Sequence, residues 1–276
     1  MNAVVPGSSR VEAQKCAAEA FNSSEMRRWK EGRSRRLITQ AKEYFSTSPQ
    51  KDPIACRLIG NKPEELFKQI FSSDKLQGIC LGEYHEETAS KRLIIEYLDL
   101  LVHLKVKTVY LEGMVRERVQ GDLDRHLISP IVEKELHDLD REHGLTGPYS
   151  FFSLVQKLND AGIFVKAIDT EASILAGAKL LDPSPDRIPG LNFQAYKIME
   201  KTEGNFVVLT GARHGAKLRA SRIAGLAEMM KCPFLLVKDR QNEPEPSVVN
   251  HPKSDELYEL GYIDYEEGFV HSVIVL

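Results

Sequence analysis

Four short apolar runs of the chain each end in side chains that can transfer protons or bind metal ions. In chain order, the residues that follow the runs are Gly82, Glu83, Tyr84 and His85, then Glu112 and Gly113, then Asp169, and finally Gly211, Ala212, Arg213 and His214. Carboxylates beside neutral imidazoles bind divalent metals with mixed nitrogen and oxygen ligands, or act as a general acid/base set around a water molecule. The spacing of these residues leaves both kinds of chemistry open.

Two of these sites share one layout. Gly82 to His85 and Gly211 to His214 are tetrads that begin with glycine and end with histidine. The glycine lets the chain turn sharply, and the histidine three residues later lies at the start of the next predicted helix. The chain contains no H-E-x-x-H, G-x-S-x-G or Walker A sequence. This absence disfavours zincins, serine hydrolases and nucleotide-binding proteins.

The elements that must position these side chains are predicted from hydrophobic periodicity. Five short β-rich runs are separated mostly by longer stretches of helical periodicity. The runs are Ile79–Leu81, Thr108–Leu111, Ile163–Ile168, Phe206–Thr210 and Phe234–Val237. This alternation predicts an α/β fold with a mostly parallel sheet that is covered by helices on both faces.

Ligands of open α/β sheets bind beyond the carboxyl ends of the strands. We therefore predict a single pocket at that edge, holding Glu83, His85, Glu112, Asp169 and His214. The predicted catalytic residues are Glu83, His85, Glu112 and His214, and the predicted ligands, if the site is metal-dependent, are His85, Glu112 and His214. The predicted substrate-binding residues are Tyr84, Asp169 and Arg213. By contrast, we expect His126, His137 and His143, in a charge-rich helix, to face solvent.

The two ends of the chain differ from its middle. Residues 1–58 are polar and lack strand patterns, which predicts a helical N-terminal extension, and residues 59–276 form the predicted α/β domain. The Pro-rich stretch Pro183–Pro189 predicts a surface loop. The alternation of Phe269–Leu276 predicts one more strand at the edge of the sheet.

The composition narrows the function classes. The chain has 276 residues, 42% of them hydrophobic, and a net charge of −3, which is typical of an ordinary globular protein. Residues 1–50 hold nine Lys or Arg against five Asp or Glu, but the middle of the chain is balanced, so we expect no nucleic-acid partner. No apolar stretch reaches the ~18 residues of a membrane span. Four dispersed cysteines predict a reducing, by default cytoplasmic, location.

The tetrads carry a resemblance to a known group of proteins. Gly82-Glu83-Tyr84-His85, then Val109-Tyr110-Leu111-Glu112, and finally the run from Val207 to His214 resemble the erythromycin esterase-like, ChaN-like and TraB/TIKI group. The layout is most similar to the ChaN-like branch. The resemblance covers about residues 75–235 and is carried by the order of the tetrads with Glu112 and Asp169 between them.

What the resemblance implies differs from member to member. TIKI-type members are metal-dependent proteases, erythromycin esterases activate water with His and Glu to open a lactone, and the ChaN type binds haem. A related domain occurs in bacterial toxins that act inside host cells. The resemblance therefore also implies a host-cell location, reached by non-classical export. The implied function is a hydrolase of a small-molecule or peptide substrate, assisted by Mn, Zn or Fe if a metal binds. The alternatives are a non-catalytic domain for haem or another small ligand, in which Tyr84 would ligate the iron, or a toxin effector domain.

Overall fold

A computed structural model describes residues 8–47, 62–74, 76–177, 187–218, 223–239, 247–249, 263–264 and 270–275. Its strands are β1 (Gly78–Glu83), β2 (Val106–Val115), β3 (Phe164–Asp169), β4 (Asn205–Gly211), β5 (Lys217–Leu218), β6 (Phe234–Lys238), β7 (Ser247–Val249), β8 (Ile263–Asp264) and β9 (Val270–Val275). Seven strands form one sheet in the order β3-β2-β4-β1-β6-β9-β7, and β5 pairs with β8. Every pair of neighbours in the large sheet is parallel except β7 with β9. The prediction of an α/β fold with a mostly parallel sheet is confirmed.

The last strand does not lie at the edge of the sheet, so that prediction was wrong. Strand β9 pairs in parallel with β6, where Val237 faces Ile274, and it also pairs with β7, where Val248 faces Ile274. The edge strand β7 has three residues, which is too short to give a hydrophobic period in the sequence.

Helices cover both faces of the sheet. They are α1 (Ser8–Thr47), α2 (Pro63–Phe71), α3 (Ala89–Glu96), α4 (Leu98–His103), α5 (Arg116–Leu123), α6 (Pro130–Glu142), α7 (Phe151–Asp160), α8 (Glu171–Gly177), α9 (Arg187–Met199), α10 (Ala212–Gly215) and α11 (Leu226–Met230). Ile79 and Leu81 of β1 belong to one buried apolar cluster, and Cys80 between them belongs to a second. Because successive side chains of a strand point to opposite faces, this split places one core on each face. No described helix is both long and apolar enough to cross a membrane.

The C-terminal half of α1 packs on the α/β domain. Leu37 and Ala41 are buried, and α1 contacts α8 and α9. Lys30 Nζ lies 3.2 Å from Glu171 at the start of α8. The boundary at residue 58 lies outside the described residues, so the division into an extension and a domain stays a prediction.

The stretch Pro183–Pro189 was predicted to be a loop, but its last residues begin a helix. Helix α9 starts at Arg187 and contains Pro189 within its first turn, where the missing N–H of proline costs no intrahelical hydrogen bond. Residues 183–186 lie outside the described part of the chain. Two residues of this helix contact side chains at the strand ends: Arg187 contacts Glu112 and Asp169, and Asn192 contacts His214.

Candidate functional site

The site lies where four neighbouring strands of the sheet, β3, β2, β4 and β1, end. Strand β4 is flanked by β1 and β2, and in its register Gly211 lies beside Glu83. An open cleft of about 490 Å³ forms at this edge. Its lining residues are His85, Glu112, Gly113, Leu139, Glu142, His143, Asp169, Ile174, Arg187 and His214. The cleft therefore brings together four predicted site residues, with Glu83 directly behind His85.

Glu112 is the buried carboxylate at the centre of the cleft. Its Oε2 accepts hydrogen bonds from Thr210 Oγ1 at 2.5 Å and from the Gly211 N–H at 2.8 Å. Its Oε1 lies 3.3 Å from Arg187 Nη2 and 3.5 Å from His214 Nε2. Burial would raise the pKa of Glu112, but the cations around it, which are His85, Arg187 and the protonated form of His214, hold it well below its ordinary value. Glu112 is therefore a fixed negative charge.

His214 is buried and oriented by an asparagine. Its Nδ1 lies 2.9 Å from Asn192 Oδ1, and Asn192 Nδ2 donates to the Ala224 carbonyl oxygen at 2.9 Å. Because the Asn192 oxygen only accepts, this pair assigns the proton of neutral His214 to Nδ1 and leaves the lone pair of Nε2 directed to the cleft. Burial lowers the pKa of His214, an effect that the charge of Arg187 adds to and that of Glu112 opposes. His214 is the neutral imidazole of the site.

His85 has the opposite charge state. Its Nδ1 donates to Glu83 Oε1 at 3.0 Å, and Glu83 is itself held by Ser90 and by Lys91, whose Nζ lies 3.0 Å from Oε2. Burial would lower the pKa of His85, but the bond to Glu83 and the charges of Glu112 and Glu83 raise it to about 9. His85 is therefore an imidazolium at neutral pH.

Gly211 permits the close approach of His85 to the end of β4. A Cβ atom at this position would lie 2.8 Å from His85 Nε2 and 3.7 Å from Glu112 Oε2. The 2.8 Å distance is shorter than real Cβ atoms show, whereas 3.7 Å is an ordinary contact, so an alanine at position 211 would displace His85. The first glycine of the second tetrad thus makes room for His85. Its φ of −54° is open to any residue, so the turn itself does not require a glycine, contrary to the prediction from the sequence.

Arg187 joins the two carboxylates of the cleft. Its Nη1 lies 3.0 Å from Asp169 Oδ1, while its Nη2 contacts Glu112. Asp169 is fully buried and also accepts hydrogen bonds from Ser173 Oγ at 2.9 Å and from the Gly113 N–H at 3.0 Å. Asp169 thus fixes Arg187 and the irregular end of β2, where the register with β3 shifts, and its role in substrate binding stays a prediction.

Two predicted substrate-binding residues lie apart from the residues that line the cleft. Tyr84 packs against the second core cluster, with Lys238 Nζ 5.1 Å from the centre of its ring. Arg213 is exposed on α10. The arginine beside Glu112 is Arg187, at the start of α9, and not Arg213. The sequence does not indicate this pairing, because Arg187 comes 75 residues after Glu112.

His143 was predicted to face solvent, and this was wrong. Its ring stacks on that of His85, with the ring centres 4.9 Å apart, and it lines the cleft. The charged residues of α6 lie on its exposed face, whereas His143 is the residue that ends the helix, and its ring lies between those of His85 and Phe151. Asn192 and Lys91 were also missed. Lys91 is fully buried, which no periodicity rule predicts for a lysine.

The geometry of the described residues does not fit the predicted metal site of His85, Glu112 and His214. The described residues contain no group of three or more His, Cys, Asp or Glu side chains placed to hold a metal ion. The guanidinium of Arg187 occupies the position between Glu112 and Asp169 that a cation would take. The second oxygen of Glu112, Oε2, accepts hydrogen bonds from Thr210 and Gly211. For haem, Tyr84 lies outside the cleft of the two histidines, so an iron bound there would not share this site.

No protein-family model and no curated protein matches the chain. Among solved structures, it is similar to RRSP, a MARTX toxin effector domain from Vibrio vulnificus, with 19% identity over 62% of this chain and 35% of that one, at a TM-score of 0.50. It is also similar to the C-terminal region of Pasteurella multocida toxin, described as having a thiol-protease-like catalytic triad, with 13% identity over 72% of this chain and 26% of that one, at 0.51. ChaN of Campylobacter jejuni, which binds haem, matches with 13% identity over 77% and 91% of the two chains, at 0.40.

The matches include both ChaN and toxin effector domains, the groups that the sequence resembles. At these identities the first two likenesses concern the fold alone, and the likeness to ChaN is too loose for an argument about haem. The chain spans 35% and 26% of the RRSP and toxin chains.

Proposed function

We propose that this protein is a hydrolase of ester, lactone or peptide bonds that activates water without a metal ion. The observation that carries the proposal is a pair of imidazoles that line one cleft with Glu112 but bond to different partners, His214 to the neutral amide of Asn192 and His85 to the carboxylate of Glu83. Burial favours the neutral form of His214, and the neighbouring carboxylates favour the protonated form of His85. A neutral base and a protonated donor around one carboxylate are what the addition of water to a carbonyl needs. Shifts of opposite sign on two titratable groups of one cleft are typical of functional sites, which supports the proposal.

In the proposed reaction, a water molecule gives its proton to His214 Nε2 while its oxygen attacks the carbonyl carbon of the substrate. The carbonyl oxygen becomes negatively charged, and the Nε2–H of the His85 imidazolium stabilises that charge by a hydrogen bond. Glu112 stabilises the protonated His214 that forms. The C–O or C–N bond then breaks, and His214 returns the proton to the leaving group, which restores the starting state.

The supporting residues have separate tasks in this scheme. Asn192 keeps the His214 proton on Nδ1, so that Nε2 is the basic atom. Glu83, charged because Lys91 and His85 stabilise it, keeps His85 protonated. Arg187 balances the two carboxylates, so that the cleft holds Glu112 without a strong repulsion from Asp169.

Delivery into a host cell is a second part of the proposal. It is supported by the likeness to RRSP, a toxin effector domain. The substrate would then be a host molecule with an accessible acyl bond. The alternative remains a binding domain that holds a small ligand in the same cleft without turning it over.

The experiment compares wild-type protein with His214→Gln on a panel of ester, lactone and peptide substrates. Glutamine fills most of the space of this buried imidazole but cannot act as a base, so we expect kcat to fall by about 10²-fold or more. The control is His137→Ala, an exposed histidine outside the cleft, which should keep the wild-type rate. Equal low rates for all three proteins, with a co-purified ligand retained, would show a binding domain instead.

A further inference from the structure

His85 belongs to a closed cycle of side-chain contacts. Its Nδ1 bonds to Glu83, and Glu83 Oε2 lies 3.0 Å from Lys91 Nζ. Lys91 Nζ in turn lies 4.6 Å from the centre of the Phe151 ring. The ring of His143 is 6.3 Å from that of Phe151 and 4.9 Å from that of His85, which closes the circle. Strand β1, helix α3 and the corner between α6 and α7 all contribute to it.

The α6–α7 corner is fixed independently of His85. The backbone N–H of His143 makes an ordinary helical bond to the Leu139 carbonyl oxygen at 3.2 Å, and Gly144, with a φ of +67°, ends α6. The buried carboxylate of Asp140, one turn earlier, accepts the N–H of Phe151 at 2.6 Å and thereby caps α7. The backbone positions that carry the His143 and Phe151 rings are therefore fixed by hydrogen bonds that do not involve His85.

His85 needs such a support. Its side chain is one-third exposed, and the bond to Glu83 fixes one edge of its ring. Rotation about the last side-chain bond of histidine is only weakly restricted in itself. The His143 ring lies nearly parallel to the His85 ring, at 25°, and a neutral aromatic face attracts an imidazolium.

From this geometry we infer that His143 is a positioning residue of the proposed hydrolase, whose stacked ring holds the imidazole of His85 with Nδ1 on Glu83 and Nε2 towards Glu112. The inference rests on the proposed function for its catalytic consequence. The stacking itself makes a claim that is independent of turnover.

Two variants distinguish the effect of the flat His143 ring from that of its two nitrogen atoms. His143→Ala removes the stacked ring, whereas His143→Phe keeps a flat aromatic face and removes both nitrogens. His137→Ala is the matched control, because His137 lies on the same helix and stacks on Phe152 at 4.6 Å, but outside the cleft. Thermal melts of all three report on folding.

The first readout is the Nδ1 proton of His85, followed by NMR in protein labelled with ¹⁵N at histidine. We expect this proton to exchange with solvent about 10-fold faster in His143→Ala, because the imidazole leaves Glu83 more often. His143→Phe and His137→Ala should exchange at the wild-type rate. The second readout is turnover on the substrate panel, where His143→Ala should lower kcat about 10-fold with a smaller change in KM, and His143→Phe should restore it.

The two proposals fail in different ways. If no protein turns over any substrate, the hydrolase proposal fails, and the exchange rates still decide the role of His143. An unchanged exchange rate in His143→Ala overturns the positioning role, even where hydrolysis is found. Equal acceleration in the Ala and Phe variants overturns it too, because the stacked face would then not be what holds His85.

Discussion

At the scale of single residues, environment gives the two histidines different roles. His214 is enclosed and bonds to a neutral amide, whereas His85 bonds to a charged carboxylate at the wall of the cleft. Burial favours the neutral form of the first, and the neighbouring charges favour the protonated form of the second. Identical side chains thus become a base and a hydrogen-bond donor because of their partners.

The role of Asn192 can be tested by adding one charge. Asn192→Asp places a carboxylate beside Nδ1 of His214, and an opposite charge at this distance raises the pKa of an imidazole by about 1 unit or more. We expect the acid limb of the kcat/KM profile to move to higher pH by a similar amount, so that less of the enzyme is active at neutral pH. Asn192→Ala, which removes the acceptor without adding charge, should lower the rate without that upward shift. An unmoved acid limb in Asn192→Asp would mean that His214 is not the base.

At the scale of elements, the strand ends were predictable and the helices that complete the site were not. Glu83, Glu112 and Asp169 each follow directly from an apolar run and a rule about parallel sheets. His143 and Arg187 come from helix ends packed over the same edge, and helical periodicity describes only which face of a helix is apolar. Nothing in a single sequence shows which strand a helix end will meet.

Helix α1 contributes stability at its C-terminal half. Leu37 is 4% exposed and packs near Gly190 of α9, whereas Trp29, two turns earlier, is 55% exposed. Leu37→Ala should therefore lower the free energy of unfolding by about 2–4 kcal/mol, the usual cost of replacing a buried leucine by alanine. Trp29→Ala should change it by less than about 0.5 kcal/mol. Urea denaturation measures both, and equal small effects would show that α1 is an appended element with little part in the core.

At the scale of the whole molecule, the fold and the function follow from different evidence. Alternating apolar runs were enough to predict the parallel sheet, because burial on both faces leaves a plain pattern in the sequence. The charge states of the site depend on partners far apart in the chain, such as His214 with Asn192 or Arg187 with Asp169. A metal site predicted from residue types alone was not found among the described residues, where a guanidinium stands between the carboxylates.

The most direct test of the account is the pH profile of kcat/KM for the wild-type protein on a substrate that it hydrolyses. Activity requires His214 without its extra proton and His85 with it. Because burial lowers the pKa of His214 below that of an ordinary histidine, the rate should rise with pH through a midpoint on the acid side of neutrality. Because the pKa of His85 is raised to about 9, the rate should fall again as the pH passes through about 9. A rate that keeps rising above pH 9, or an acid midpoint above 7, would contradict the assignment of the two histidines.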